Sequence, residues 1–340
     1  MKIGILTGGG DCPGLNPVIR AIVRKAYNDK HETIGFNNGW KGIIEGETIT
    51  LDLNSISGIL PKGGTILGTS RTNPYKKAED VQKVKENFKK FGIDALIAIG
   101  GEDTLGVANK LCKEGLNVVG VPKTIDNDLS ATDYTFGFDT SVNIAMECID
   151  RLHTTAESHH RIMVVEVMGR HAGWIATYAG IAGGADVVLI PEVPIDLDEV
   201  CGILKKRHSR GRTFSIVVVA EGAKMKASDM TKDQSLDEFG HVKLGGIGDY
   251  LGKEIEKKTG YETRVTVLGH IQRGGSPTAF DRVLGTRFGI KAVELVENKK
   301  FGQMVSLSGT KIVAVPLEKG VEKLKTVDME LYDIAKVFFG

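Results

Sequence analysis

The sequence predicts an α/β protein made of two lobes, each a mainly parallel β-sheet flanked by helices. Short apolar runs alternate with helical patterns along almost the whole chain, which is typical of parallel α/β layers. The apolar runs are nearly continuous, as expected for strands that are covered on both faces. With 340 residues, 41% of them hydrophobic, the chain is long enough to form two lobes with separate cores.

Strands and helices alternate in the first part of the chain. The expected strands are residues 2–7, 33–37, 94–99 and 117–120. The expected helices are residues 15–27, residues 78–91 and a helix that begins near residue 102. Residues 39–52 predict a loop with short strand pieces. Pro122 and the polar residues after it are expected to end the fourth strand.

The same alternation continues to the end of the chain. The expected strands are residues 161–167, 186–190, 214–220, 264–268 and 312–315. The expected helices are residues 139–158, a helix through Trp174, residues 197–206, 247–257 and 278–297, and a terminal helix from residue 325. Residues 224–243 are polar and poor in apolar side chains, so they predict an exposed insertion or flap.

Composition and charge exclude several classes of protein. The net charge of +1 indicates neither nucleic-acid binding nor attraction to an anionic membrane. No apolar stretch approaches the roughly 18–20 residues that span a bilayer, and no signal peptide is expected, because the chain opens directly as a strand. The four cysteines are widely scattered, with neither metal-type spacing nor a disulfide framework. A cytoplasmic location is therefore predicted.

The octapeptide Val-Pro-Lys-Thr-Ile-Asp-Asn-Asp, residues 121–128, contains two acids and a lysine within six residues. It follows a buried strand, and open α/β sheets keep their ligands at the carboxyl ends of their strands. One of the carboxylates of Asp126 and Asp128 can accept a proton while the other lies near a metal, and Lys123 can hold a phosphate. The alternative is an exposed Asx-type turn with a solvated lysine.

Three further loops have features of anion sites. The glycine-rich loop 8–14 joins a strand to a helix, so backbone N–H groups can face an anion. It lacks the dinucleotide fingerprint and the Gly-Lys-Ser/Thr end of a P-loop, and a tight turn without a ligand is equally compatible with it. Arg71 ends a small-residue loop and can reach a phosphate or remain solvated. Glu102 and Asp103 follow two glycines and are either helix caps or residues close to a ligand.

Three stretches together resemble the phosphofructokinase family. They are the octapeptide, Met-Gly-Arg-x-x-Gly at 168–173, and Leu-Gly-His-Ile-Gln-Arg-Gly-Gly-x-Pro-x-x-x-Asp-Arg at 268–282. The resemblance covers residue 2 to about residue 317. It implies Mg²⁺-dependent phosphoryl transfer to the 1-hydroxyl of fructose 6-phosphate, with two α/β lobes and the site in the cleft between them. Residues 1–137 with 247–300 are expected to form the donor lobe, residues 138–246 with 301–320 the fructose 6-phosphate lobe, and residues 321–340 a C-terminal helix.

The resemblance also implies roles for individual residues. Asp126 resembles the general base, Thr124 is expected to hold the transferring phosphoryl group, Asp128 to lie near metal and phosphates, and Arg170 to face the reacting phosphate. The expected donor-binding residues are Gly9, Gly10, Arg71, Gly101, Asp103 and Lys123. The expected sugar phosphate residues are Thr124, Asp126, Arg161, Met168, Gly169, Arg170, Glu221, Arg264, His270 and Arg273. Of these, Arg161 and Arg264 match arginines that reach the substrate of a neighbouring subunit, so a homodimer or homotetramer with shared sites is expected.

Departures from the family pattern indicate the phosphoryl donor. ATP-using members usually have Gly-Gly-Asp-Gly-Ser and Pro-Gly-Thr-Ile-Asp-Asn-Asp, whereas this chain has Asp103 in place of a glycine and Lys123 in place of another. A carboxylate at Asp103 would occupy the space of a nucleotide phosphate and repel its charge. Lys123 can stabilise a short donor. The pair resembles the pyrophosphate-dependent branch. Glu102 replaces the usual aspartate and remains the expected Mg²⁺ ligand.

Two other functions remain open at this point. An ATP-dependent 6-phosphofructokinase that tolerates Asp103 is one, and a sugar phosphate sensor without catalysis is the other, although the intact Thr-Ile-Asp-Asn-Asp disfavours a sensor. A Rossmann dehydrogenase is disfavoured by the glycine spacing.

Overall fold

The computed structural model describes residues 1–226 and 245–340 as two compact units. Unit 1 comprises residues 1–125, 129–140 and 273–324, and unit 2 comprises residues 126–128, 141–272 and 325–340. From residue 227 onward, the insertion expected at 224–243 lies outside the described residues. No helix in the described parts of the chain is long and apolar enough to cross a membrane.

Strands and helices alternate along the described chain. The strands are Lys2–Thr7 (β1), Glu32–Phe36 (β2), Thr48–Leu51 (β3), Ala95–Gly100 (β4), Val118–Thr124 (β5), Phe136–Gly137 (β6), Ile162–Val167 (β7), Val187–Leu189 (β8), Ser215–Ala220 (β9), Thr263–Val267 (β10), Gln303–Ser308 (β11) and Lys311–Pro316 (β12). The helices are Leu15–Asn28 (α1), Trp40–Glu45 (α2), Ala78–Lys90 (α3), Glu102–Lys113 (α4), Phe138–His159 (α5), Trp174–Ala182 (α6), Leu197–Ser209 (α7), Ile247–Thr259 (α8), Ala279–Glu297 (α9), Leu317–Val321 (α10) and Met329–Lys336 (α11). Short 3₁₀ turns cover Pro74–Lys76 and Gly269–Arg273.

Unit 1 is built on one sheet with the strand order β12-β11-β5-β4-β1-β2-β3, and β6 extends the end of β5. The inner pairs are parallel, while β3 and β12 are antiparallel to their neighbours at the two edges. Every residue of β4 and β5 is buried, as their apolar sequences predict for central parallel strands. The carboxyl ends of β5, β4 and β1 therefore lie side by side.

Helices pack closely against this sheet. One apolar cluster joins side chains of β1, β2, β4 and β5 to those of α2, α3 and α4. Elsewhere in the unit, α9 lies against α1 at glycine positions, because a Cβ added at Gly289 would lie 2.7 Å from the Ala21 Cβ. Gly285 allows a similar approach to Gly14. The glycines thus hold the helix that follows the first glycine-rich loop against its neighbour.

Unit 2 contains a smaller, fully parallel sheet with the order β10-β7-β9-β8. Its central strands β7 and β9 are buried along their whole length. An apolar cluster joins these strands to α7 and α8. The carboxyl ends of β10, β7 and β9 meet at one edge, which brings together the loops that begin at residues 168, 221 and 268.

Several sequence predictions differ from the structure. The strand expected to end before Pro122 continues to Thr124. Positions 121 and 122 pair with β4 on one side of β5, whereas on its other side they fall between the pairing with β11 and the pairing with β6, where a missing N–H breaks no ladder bond. The expected loop 39–52 contains α2 as well as β3. Strand β11 was not predicted, although apolar and polar residues alternate over 305–308, as they do in many strands. The terminal helix begins at Met329, not at residue 325.

The division into units also differs from the predicted one. Residues 247–272 belong to unit 2, because β10 pairs in parallel with β7. Residues 301–320 belong to unit 1, where β11 pairs with β5 and β12 pairs with β11. Both differences come from pairing between strands far apart in sequence, which local patterns do not encode.

Candidate active site

In unit 1, the glycine-rich loop after β1 is hydrogen-bonded to two neighbouring segments. The Gly8 amide donates to the Ile99 carbonyl at the end of β4, at 2.9 Å. The Gly9 amide donates to the Ser70 carbonyl at 3.1 Å, and the Thr69 hydroxyl donates to the Gly9 carbonyl at 2.5 Å. The structure therefore brings the loop that ends at Arg71 against the glycine loop, as the prediction of one donor site requires.

Lys123 lies buried beneath this loop, with 3% of its surface exposed. Its ammonium donates a hydrogen bond to the Gly10 carbonyl oxygen. Gly9 has a φ of 78°, and a Cβ added there would lie 3.5 Å from the Lys123 Nζ, so the loop passes close to the charge. Burial raises the pKa of the nearby Cys12 thiol, while the positive charge of Lys123 acts in the opposite direction. A buried cation thus lies beside a turn of backbone amides.

Thr104 fixes the glycine loop to the beginning of α4. A Cβ at Gly100 would lie 2.3 Å from the Thr104 Cβ, and a Cβ at Gly8 would lie 2.6 Å from its hydroxyl oxygen, so both positions require glycine. The N-cap residue of α4 is Gly101, which has no side chain to cap the helix. The helix N-terminus can therefore accept an anion. Glu102 is exposed at this end and Asp103 is half-buried beside it.

Arg273 belongs to unit 1 and lies against the glycine loop. A Cβ added at Gly10 would lie 2.9 Å from the Arg273 Nη1. The predicted sugar phosphate residue Arg273 is therefore found beside the predicted donor residue Gly10. Lys123 and Arg273 place two cationic groups at the same loop, which suits a polyanionic phosphate ligand.

Thr124 ends β5, and its carbonyl accepts a hydrogen bond from the Thr135 hydroxyl at 2.8 Å. The next polar residues, Asp126, Asn127 and Asp128, are all buried and belong to unit 2. Asn127 has a φ of 52°, a left-handed conformation that asparagine tolerates better than most residues. The turn therefore presents two carboxylates from buried positions, which excludes the exposed Asx turn considered from sequence.

In unit 2, the loops after β7 and β9 are joined through Glu221. The Glu221 amide donates to the Val167 carbonyl at 2.8 Å, and its side chain accepts from the Arg170 amide at 3.1 Å. Arg170 has a φ of 50°, and a Cβ at Gly222 would lie 1.7 Å from its carbonyl oxygen. These contacts hold together the two loops that carry Met168, Gly169, Arg170 and Glu221, and their role in one sugar phosphate pocket stays a prediction.

His270 lies exposed in the 3₁₀ turn after β10, at this same edge of the sheet.

Arg161 and Arg264 lie at the opposite, amino-terminal edge, where both pair with Glu262. The Arg161 Nη2 to Glu262 Oε1 distance is 2.9 Å, and the Arg161 guanidinium holds the pKa of Glu262 below its usual value. Six strand residues, about 20 Å, separate the two edges. Within unit 2 these arginines therefore do not join the loops at the carboxyl edge.

Two residues near the site were not predicted from the sequence. Thr104 is needed to pack Gly8 against Gly100, and Lys325 hydrogen-bonds the turn at Asp126–Asp128. A threonine in the first turn of a helix is an ordinary feature, and a lysine near the C-terminus shows no sequence signal. Their roles depend on contacts across large sequence separations.

These features define an α/β protein with an anion site at the carboxyl end of its larger sheet, where Lys123 and Arg273 lie at the glycine loop. Residues 2–296 match the family described as Phosphofructokinase. The chain is 60% identical over its full length to a pyrophosphate--fructose 6-phosphate 1-phosphotransferase of Streptomyces coelicolor, of which 100% is covered. It is 53% identical to the ATP-dependent 6-phosphofructokinase 3 of the same organism, over 96% of each chain.

A member of the same family is found among the solved structures. A phosphofructokinase from Saccharomyces cerevisiae matches with a TM-score of 0.83 and 33% identity, and the alignment covers 99% of this chain and 46% of the yeast chain. This protein belongs to the phosphofructokinase family. The family and the α/β fold class predicted from the sequence are both confirmed.

Proposed function

We propose that this protein transfers a phosphoryl group from pyrophosphate to the 1-hydroxyl of fructose 6-phosphate, giving fructose 1,6-bisphosphate and phosphate in glycolysis. The single observation that carries the choice of donor is the buried ammonium of Lys123 at the Gly10 carbonyl. A fixed cation at this loop can stabilise the charge on a short donor without help from a nucleoside. The reaction is reversible, because the phosphoryl donor pyrophosphate and the phosphorylated product are close in free energy of phosphoryl transfer.

The names of the relatives agree with this donor. The relative with 60% identity is named for pyrophosphate, and three further full-length relatives with 53–58% identity carry the same name. ATP-dependent transfer is the second candidate, favoured by the 53% identical relative named for ATP. Asp103 opposes ATP, since its carboxylate lies in the first turn of α4, where the resemblance puts the nucleotide phosphates.

Asp126 is assigned as the general base that accepts the proton of the sugar hydroxyl. Its burial and its place in the Asp126–Asp128 turn support this role. Thr124 is assigned to the transferring group and Arg170 to the negative charge that develops on it. Phosphoryl transfer depends mainly on positioning and charge stabilisation, which these groups supply. Met168, Gly169, Glu221 and His270 are assigned to the sugar phosphate.

Mg²⁺ is part of the proposal. Glu102 is an exposed carboxylate at the uncapped start of α4, so its oxygens are available to a hard cation. Within the described residues no group of three His, Cys, Asp or Glu side chains is arranged to hold a metal. A single carboxylate such as that of Glu102 still fits Mg²⁺, because this ion commonly uses one or two carboxylates together with substrate phosphates and water. When bound, the ion would neutralise phosphate charge.

Sites shared between subunits of a homodimer or homotetramer complete the proposal. The positions of Arg161 and Arg264, at the sheet edge opposite the Met168–Arg170 loop, support a role toward another subunit. Neither arginine is fully buried, so both can reach a ligand. A cytoplasmic location is also proposed, on the basis of four free cysteines.

A donor assay tests the proposed function. The purified protein is assayed with fructose 6-phosphate and Mg²⁺, with pyrophosphate or ATP as donor. Pyrophosphate is expected to give the higher kcat/KM. Lys123→Met keeps the aliphatic stem and removes the charge, so it is expected to lower kcat/KM for pyrophosphate about 10²–10³-fold. A wild-type preference for ATP would refute the choice of donor.

Two substitutions at Asp103 separate charge from size. Asp103→Asn keeps the size of the side chain, and Asp103→Gly removes it. If steric exclusion dominates, only Asp103→Gly admits ATP, whereas if charge dominates, both do. If neither variant gains ATP turnover, Asp103 does not exclude the nucleotide.

A further inference from the structure

Lys325 makes two hydrogen bonds to the turn that carries Asp126 and Asp128. Its backbone amide donates to the Asp128 carbonyl at 2.8 Å, and its ammonium donates to the Asn127 Oδ1 at 3.0 Å. All four residues belong to unit 2. Asn127 is in the left-handed conformation, which few residues adopt easily, and this conformation sets the direction of its side chain. Lys325 therefore bonds both to the backbone of this turn and to the Asn127 side chain.

The same lysine is tied to the helix that follows the Met168–Arg170 loop. The Trp174 indole N–H donates to the Lys325 carbonyl at 2.9 Å, and the Lys325 ammonium lies 5.2 Å from the centre of the Trp174 ring. Trp174 is the first residue of α6. A cation over an indole face is an attractive contact, stronger where water is excluded.

Val327, two residues after Lys325, makes a second connection to α6 through Glu192. The Glu192 carboxylate accepts a hydrogen bond from the Val327 amide at 2.9 Å, and its two oxygens share the Gly173 N–H at 3.0 and 3.1 Å. Gly173 directly precedes α6. The segment Lys325–Val327 is thus fixed to the start of α6 at both of its ends, and Lys325 connects that anchored segment to the Asp126–Asp128 turn.

We propose that Lys325 is a positioning residue, which holds the Asp126–Asp128 turn in a fixed place relative to α6 and the Met168–Arg170 loop before it. This inference rests on the proposed function, because it concerns the placing of the base Asp126 against Arg170. Lys325 acts through Asn127 and Asp128, not by contact with the reacting atoms. Misplacement by about 1 Å can lower a rate about 10²-fold.

Steady-state kinetics on single variants test the proposal. Lys325→Met keeps the stem against Trp174 and removes the ammonium, so kcat is expected to fall about 10- to 100-fold with both KM values within about twofold of wild type. Lys325→Arg, which retains a donor and a cation, is expected to restore most of kcat. Lys323→Met is the matched control, because Lys323 is exposed two residues earlier and its loss is expected to leave kcat unchanged. A kcat for Lys325→Met within threefold of wild type would overturn the proposal.

A double-mutant cycle separates positioning from general support of the fold. Asn127→Gly removes the side-chain partner and suits the positive φ. If Lys325 acts through Asn127, the kcat of the double variant Lys325→Met/Asn127→Gly is expected to lie within about twofold of the kcat of the less active single variant. A kcat for the double variant that is lowered by the product of the two single-variant losses would contradict the proposal.

A parallel variant distinguishes the failure of this inference from failure of the proposed function. All comparisons use whichever of pyrophosphate and ATP the wild-type protein prefers. An active Asp126→Asn variant overturns the base assignment and the positioning role with it. An inactive Asp126→Asn variant together with an unaffected Lys325→Met variant overturns only the positioning role.

Discussion

Asp281 is expected to reduce the stability of the protein as the pH rises. It lies fully buried in the first turn of α9, and its carboxylate accepts from the Thr140 amide at 2.8 Å and from the Thr140 hydroxyl at 2.5 Å. The Thr140 hydroxyl also accepts from the Thr278 amide, and the Thr278 hydroxyl donates to Asp139. The starts of α5 and α9 are therefore joined by a network with two acidic groups, of which Asp281 is fully buried and Asp139 partly buried.

The pH dependence follows from the pKa of Asp281. Burial raises this pKa from 3.8 to about 6; the bonds from Thr140 and a backbone bond from Gly137 lower it, and the nearby Asp139 raises it. Because the folded pKa is the higher one, the folded state binds more protons than the unfolded state between these values, so stability falls as pH rises. The full cost at neutral pH is about 3 kcal/mol, and the part that develops between about pH 4.5 and 7.5 is about 2 kcal/mol.

Urea unfolding of wild type and Asp281→Asn across this pH range measures the effect. Asparagine keeps an oxygen for the Thr140 donors and cannot ionise. The stability of Asp281→Asn relative to wild type is expected to increase by about 2 kcal/mol from about pH 4.5 to 7.5. Asp150→Asn, at an exposed position on α5, serves as the control and is expected to show no such trend. A difference for Asp281→Asn that stays constant within about 0.5 kcal/mol over the range would refute the reasoning.

Three further predictions concern catalysis, assembly and packing. Asp126→Asn is expected to lower kcat by about 10⁴-fold with little change in the KM for fructose 6-phosphate, and a loss under about tenfold would argue against a base at this position. Mixing inactive Asp126→Asn with inactive Arg161→Ala is expected to restore activity that neither has alone, and no recovery after demonstrated subunit exchange would contradict shared sites. Gly100→Ala is expected to cost about 1–3 kcal/mol of stability because the new Cβ meets Thr104, whereas Gly106→Ala, which meets nothing within 4 Å, is expected to be neutral or stabilising; equal unfolding free energies for the two would contradict the packing argument.

The sequence predicts elements whose signal is local. Buried strands such as β1 and β4 appear as continuous apolar runs, and the glycine clusters after them mark the loops of the site. Strand β5 shows the limit of this reasoning. Proline is a sound stop signal, but here it falls where β5 makes no ladder bond on one side. Only the pairing with β11 and β6 reveals this.

The candidate site shows the same limit. Motifs identify Asp126, Lys123 and Arg170, because each lies within a short distinctive stretch. The placing of Arg273 against Gly10, and of Arg161 and Arg264 at the far edge of the smaller sheet, depends on which strands pair. The part played by Lys325 depends on a contact between residues 198 positions apart. Such contacts leave no periodic trace in the sequence.

Donor choice in this chain is coupled to the structure of the glycine loop. The Lys123 ammonium satisfies the Gly10 carbonyl, and its stem occupies a buried position on β5, so loss of the lysine exposes an unsatisfied acceptor as well as removing a charge. A change at Asp103 alone can open space for a nucleotide, yet it leaves the cation in place beneath the loop. Exchange of pyrophosphate for ATP therefore requires the loop around Gly10 to be supported in another way. We infer that Asp103→Gly gives a protein able to use both donors, whereas complete conversion to ATP needs the second change at Lys123 and a compensating change near Gly10.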